Sequence, residues 1–310
     1  MNRRKILIAL IILALSGLVW VYFFIPSQIT LNESVWVTAN KNTINRALND
    51  SSLWKQWWPD TTVDKLHYNG FSYQPQLPGL YAFAVNVSNN TTNGNTILSI
   101  TEKNPDSALL IWRGVFSTGN NPFSRFLKYR EINRLTNDMK DILLAAKKFL
   151  SKPQHIYGIE IKKEIVKDTL LLNTHSLFSH YPSTEEIYSL INKLHTAARR
   201  GKAPVTGYPM LNITKKDSAL YLLRVALPVS KPVKEQNGIV IKRMIPGNIL
   251  VSDNIQGGTG TVDIAFKQMM NYARDLDKTL PAIPFQSLIT NRLEEKDSTK
   301  WLTRIYCPVI

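Results

Sequence analysis

Cysteine is almost missing from this sequence: of 310 residues, only Cys307 carries a thiol. One thiol closes no internal disulfide, and no Cys/His spacing of a zinc site accompanies it. The phosphate-loop pattern and the Gly-x-Ser-x-Gly nucleophile elbow are also missing, which removes the commonest nucleotide-binding and serine-hydrolase signatures. Gly257-Gly258-Thr259-Gly260 stands before a helical stretch, where backbone N–H groups can cradle an anion. It lacks the accompanying lysine and the dinucleotide spacing, so a tight turn accounts for it. His175 and His180 lie five apart and read as solvated or core histidines rather than as metal ligands. No cofactor and no metal is expected.

Acidic residues are scarce: 23 against 38 lysines and arginines, a net charge of +15. Such a balance suits a nucleic acid or an anionic membrane surface, or else basic side chains scattered over solvated faces. Scatter fits better, because basic residues rarely cluster; the longest runs are Arg3-Arg4-Lys5 and Arg199-Arg200-Gly201-Lys202. No nucleic-acid partner is expected. Hydrophobic residues make up 44% and charged residues 20%, enough apolar material to bury real cores. The length suits a short anchor and two domains.

Charge is wholly absent from Ile6 to Ile25. Twenty helical residues span roughly 30 Å, the thickness of the hydrocarbon core. Arg3, Arg4 and Lys5 precede the run, and the next basic residue is Lys41. The positive-inside rule puts residues 1–5 in the cytoplasm, residues 6–25 across the inner membrane, and the rest outside it, periplasmic or otherwise extracytoplasmic. A cleaved signal peptide is the rival reading, with Ala14-Leu15-Ser16 as its site. It would leave the apolar stretch from Leu18 to Ile25 as a new terminus.

Residues 31–152 read as a first soluble domain. Ser34 to Val37 forms a short strand, and Asn42 caps a helix bearing Ile44, Ala47 and Leu48. Strand-like runs follow at Val63 to Tyr68, Tyr81 to Val87, Thr96 to Thr101 and Ala108 to Phe116. A long amphipathic helix closes the segment, with Ile132, Leu135, Met139, Ile142 and Leu143 inward. This order, with Trp54-x-x-Trp57 and Pro59, Trp112 late in the sheet and Asn121-Pro122 opening the last helix, resembles the SRPBCC superfamily of START-like and polyketide-cyclase-like domains. The resemblance implies a curved sheet around the long helix and an apolar cavity that Trp54, Trp57 and Trp112 could line. Plain core aromatics are the alternative. Asp64, His67 and Arg113 are the scattered polar groups, and they form no catalytic set by spacing.

Residues 155–310 carry an internal repeat, about 155–230 and 238–310. Thr184 to Ile187 is echoed at Thr261 to Ile264, Asn212 to Thr214 at Leu288 to Thr290, and Leu223 to Val229 at Thr303 to Val309, at offsets of 77, 76 and 80. Each copy reads strand, helix, strand, strand. Ser183 and Glu186 form a capping box, Ile187, Leu190, Ile191 and Leu194 an apolar stripe, and Gly201 a stop. Tyr208 to Ile213 and Phe285 to Thr290 are penultimate strands; Ile159 to Val166 and Ile239 to Met244 are openers. With Gly207-Tyr208-Pro209, Ile245-Pro246-Gly247 and the terminal Thr303-to-Val309 run, this half resembles the GyrI-like family, the effector-binding domain of bacterial transcription activators. The resemblance implies a pseudo-twofold axis and a ligand groove between the paired helices and the sheet. Tyr208, Met210, Gln286, Leu288 and Trp301 would contribute to it. That family usually has a glutamate where this chain has Gln286, and an amide cannot neutralise a cation, so neutral ligands are expected.

The fold class expected is α+β: a transmembrane helix, a helix-grip domain and a duplicated β-α-β-β domain with an antiparallel sheet. The expected function is a membrane-anchored, non-enzymatic binder or sensor of hydrophobic small molecules, with no protein partner identified. A hydrolase or cyclase acting on such a molecule, and an envelope scaffold binding another protein, are the alternatives.

Overall fold

A computed structural model describes residues 3–60, 66–166, 169–217 and 219–310; in the first helix the side chains of Arg3, Arg4, Lys5, Leu7, Ile8 and Ala14 also lie outside the description. The chain is mixed α+β and divides into two compact units, Met1–Lys152 and Pro153–Ile310.

The first unit begins with helix α1 (Arg3–Phe24), followed by β1 (Gln28–Val37), α2 (Lys41–Asn49) and α3 (Ser51–Trp57). The expected span from Ile6 to Ile25 falls partly on undescribed side chains. Among the described residues no helix is long and apolar enough to cross a membrane. Asn40, not Asn42, caps α2: its side chain accepts from the Asn42 backbone N–H at 2.7 Å. Five strands follow: β2 (His67–Tyr68), β3 (Phe71–Pro75), β4 (Ala82–Ser88), β5 (Asn93–Asn104) and β6 (Ser107–Ser117). With β1 they form an antiparallel sheet in the order β1-β6-β5-β4-β3-β2. Val63 to Lys65 of the expected first run lie outside the described residues.

Helix α4 (Pro122–Leu150) closes this unit, capped by Asn121 with proline in its first turn. Its buried stripe is Ile132, Leu135, Met139, Ile142 and Leu143. Arg125 is buried at its start and donates to the Tyr22 and Ile25 carbonyls, each at 3.3 Å, with its guanidinium 4.7 Å above the Tyr22 ring. A cation at the carboxyl end of α1 satisfies orphan carbonyls and complements the helix dipole.

The second unit opens with α5 (Pro153–Tyr157) and continues β7 (Ile161–Val166), β8 (Leu170–Phe178), α6 (Thr184–Arg200), β9 (Met210–Lys215) and β10 (Tyr221–Val229). It then repeats: β11 (Val240–Arg243), β12 (Gly247–Ser252), the short β13 (Ile255–Gln256), α7 (Thr259–Asp275), β14 (Phe285–Leu288) and β15 (Leu302–Val309). The capping box at Ser183 and Glu186 is present, and Gly201 ends α6. The sheet order is β11-β8-β10-β9-β14-β15-β12-β7. The expected openers, β7 and β11, are therefore edge strands, and β8 and β12 are the strands that precede the helices. Each edge strand pairs with the next strand of the other copy, β7 with β12 and β11 with β8.

One residue of α4 is costly. Asp138 is buried; its Oδ1 accepts from Asn69 Nδ2 at 2.7 Å and its Oδ2 has no partner. Burial raises its pKa above the ordinary aspartate value. A raised folded-state pKa contributes stability at low pH that is lost as pH rises through it. Asp138→Asn should therefore raise the Tm by a few degrees at pH 7, and the gain should shrink toward about pH 4, the ordinary aspartate range. Thermal melts across pH check this; a variant less stable than wild type at pH 7 contradicts it.

Candidate functional site

Side chains alternate along a strand, and residues paired across two strands share a face. In the nine-stranded sheet one face packs on helices. Leu172, Leu211, Leu223, Val225 and Leu288 meet Ile187, Tyr188, Ile191 and Leu194 of α6. Leu250, Ile305, Cys307 and Val309 meet Val262, Ala265 and Met269 of α7. The intervening residues point the other way. There Ile249 and Val251 join Met244, Phe285 and Tyr306, and the Phe285 and Tyr306 rings stack at 5.1 Å, 5° from parallel.

On this helix-free face lies a cavity of about 320 Å³, within the range of small-molecule sites. Its apolar wall comes from Met210, Met244, Ile245, Ile283 and Phe285, and Ala226 lies between Asn173 and Met210. The small side chain of Ala226 leaves the hollow open. The polar groups are Asn173, Asn212, Arg224, Lys242 and Arg243. Asn212 donates to the Pro284 carbonyl at 3.0 Å and ties the 281–285 segment to the rim. It also accepts from Arg224 Nη1 at 3.0 Å, and Thr214 Oγ1 accepts from the same nitrogen at 3.2 Å.

The residues singled out from sequence divide between the faces. Met210 lines the cavity. Tyr208 is more than half exposed, in the loop before β9, and is not among the lining residues. Gln286 pairs with Leu211, and Ser287 with Met210, so Gln286 and Leu288 lie on the helix side. Leu288 is packed in the α6 core. Expecting Tyr208, Met210, Gln286 and Leu288 around one groove thus runs against the register. Trp301 precedes β15; its Nε1 donates to the Glu295 carbonyl at 2.8 Å and its ring carries the buried Arg292 guanidinium at 4.7 Å. Arg292 Nη2 donates to Thr303 Oγ1 at 2.8 Å, and burial lowers its pKa.

In the first unit the tryptophans fill space. Trp54, Trp57 and Trp58 pack on one another with centroids 5.0 to 6.2 Å apart, Trp58 meets Tyr73, and Tyr73 meets Trp112. Trp54 Nε1 donates to the Leu48 carbonyl at 2.8 Å and Trp112 Nε1 to Thr96 Oγ1 at 2.7 Å. These geometries are those of an aromatic core. Sequence reasoning missed Tyr73, at the centre of the stack, because a tyrosine in an unassigned strand carries no cavity signal. Trp54 also borders a surface hollow of about 340 Å³ with Tyr73 and Lys55.

Chemically, the cavity binds better than it reacts. Its described lining holds two amides, two guanidiniums, an ammonium and apolar groups, and no histidine, carboxylate, thiol or hydroxyl, so the exposed Lys242 amine is the one group there that could act as base or nucleophile. Among the described residues no cluster could hold a metal ion.

No protein-family model matches the chain, and no curated protein matches it. Among solved structures it is similar to the C-terminal domain of EcmrR (14% identity, 49% of this chain and 98% of that one, TM-score 0.42). It is also similar to SAV2435 bound to tetraphenylphosphonium (12%, 49% and 94%, TM-score 0.33) and to the Zhui aromatase/cyclase of a Streptomyces species (12%, 39% and 94%, TM-score 0.30).

Cys307 is fully buried on the helix side, and burial pushes its thiol up to about 11. The thiolate is the nucleophile, so iodoacetamide should leave the native protein unmodified at pH 8 and add once after denaturation. Intact mass reads this; rapid alkylation of the native chain contradicts it.

Proposed function

We propose that this chain is a membrane-anchored, non-enzymatic binder of hydrophobic small molecules, which it holds on the helix-free face of the nine-stranded sheet. The carrying observation is the cavity of about 320 Å³ whose wall is methionine, isoleucine and phenylalanine. Apolar walls supply affinity through area removed from water, roughly 25 cal/mol per Å². A few fixed polar groups supply orientation. The absence of an acid–base pair in the described lining favours binding over a hydrolase or cyclase. Within the proposal, Met210 is a ligand contact, whereas Gln286, Leu288 and Trp54, Trp57 and Trp112 are structural.

The anchor rests on the uncharged stretch from Ile6 to Ile25 behind Arg3, Arg4 and Lys5, and on the large exposed side chains of α1, among them Leu13, Phe23 and Phe24. In this reading the protein passes once through an inner membrane, with residues 1–5 cytoplasmic and residues 31–310 outside. A reporter active only in the cytoplasm, fused after Ile310, should stay silent; a strong signal reverses the orientation.

Ligand binding is tested with a neutral environment-sensitive dye. Wild type should bind it saturably. Ala226→Leu fills the hollow and should weaken binding at least ten-fold, at a cost of at most about 1–3 kcal/mol of stability. Leu288→Ala, on the opposite face, should cost about 2–5 kcal/mol of stability and leave dye affinity unchanged. The opposite pattern places the ligand among the helices and removes this site.

A further inference from the structure

We infer that the ligand of this cavity is an amphipathic anion, a lipophilic tail bearing one carboxylate or similar acidic head, bound with the head on Arg224; this rests on the binding reading above.

The charges around the cavity have one sign. Arg224, Lys242 and Arg243 line it, and among the described residues no aspartate or glutamate does. Arg224 is the half-buried one, on β10 beside the floor. Its Nη1 is held by Asn212 Oδ1 at 3.0 Å and Thr214 Oγ1 at 3.2 Å. Both acceptors are neutral: they fix the guanidinium in place and leave its charge uncompensated. A cation in a partly desolvated setting is stabilised by an anion brought to it. A guanidinium offers a planar fork that matches a carboxylate, and one already immobilised loses less entropy when it binds.

Arg224 and the exposed Lys242 lie on opposite sides of Ala226, because Lys242 pairs with Leu171 and Leu171 with Pro228. Met244, Ile245, Ile283 and Phe285 wall one part, and Ala226 keeps the centre open. Across the strands Arg224 pairs with Asn212 and with His175, whereas Ala226 pairs with Met210 and Asn173. Two residues along the strand therefore separate the Arg224 row from the Ala226 and Met210 row, about 7 Å. A ligand with a charged head and an apolar tail spans that distance. A lipophilic cation would set like charge against Arg224, and a wholly neutral molecule would leave the guanidinium uncompensated.

The test uses the full-length chain in lipid nanodiscs, labelled at the methionine methyls, with empty nanodiscs as the partition reference. Decanoate, decan-1-ol and decyltrimethylammonium are titrated, and the Met210 and Met244 shifts are read. Decanoate should bind about ten-fold tighter than the alcohol, the size of a charge-assisted hydrogen bond, and the cation weaker than both. Arg224→Gln should bring decanoate to the alcohol's affinity. Thr214→Asp keeps the arginine and the Asn212–Pro284 tie and supplies an internal carboxylate, and should erase the same preference. Equal binding of acid and alcohol by wild type overturns the inference and leaves the hydrophobic-ligand reading standing. So does an acid preference that survives both substitutions. Failure of all three probes to move either methyl overturns both.

Discussion

The second unit depends on the pairing of β9 with β14, in which Gln286 lies opposite Leu211 and Ser287 opposite Met210. This antiparallel seam joins the two copies of the repeat into one sheet. It also fixes a parity that runs through every neighbouring strand. Leu211 sends its side chain to the helices with Leu223, Val225, Leu288 and Ile305; Met210 sends its own to the helix-free face with Ala226 and Phe285. Moving this register by one residue would exchange a packed core for an open hollow. The crossed edge strands, β7 on β12 and β11 on β8, tie each copy to the other at both ends.

The two faces use polar residues differently. On the helix side a buried guanidinium, Arg292, rests on the Trp301 ring and donates to Thr303, and Tyr188 accepts from the Arg292 backbone N–H at 2.8 Å. The Arg292 Nε, also buried, has no hydrogen-bond partner among the described residues. On the other face Arg224 meets only the neutral oxygens of Asn212 and Thr214, at the border of an apolar hollow. A positioned charge next to open apolar space suits the head of an amphipathic ligand, which is the role proposed for Arg224.

Much of the architecture was legible in sequence, where the signal is local. The Ser183 capping box, the Ile187 to Leu194 stripe, the Gly201 stop and the buried stripe of α4 each rest on contacts within a few residues, and each is present. The long-range features were not legible. In β8 the Asn173-Thr174-His175 stretch interrupts the apolar run, so the true opener of the first copy gave no strand signal and the edge strand β7 took its place. Alternation separates Met210 from Leu211 and Gln286 from Ser287, but it does not say which parity meets the helices when both carry apolar groups. Large aromatics posed the same ambiguity: Trp54, Trp57 and Trp112 could wall a cavity or fill a core, and their stacking on one another is a long-range contact that sequence does not carry.

A lipophilic ligand on the helix-free face of the sheet is the central claim, and locating a heavy atom tests it most directly. A crystal of the protein soaked with a bromine-bearing lipophilic acid should show an anomalous peak between Phe285 and Met210, with the acid group toward Arg224. A peak between α6 and α7, over Gln286, would contradict the account.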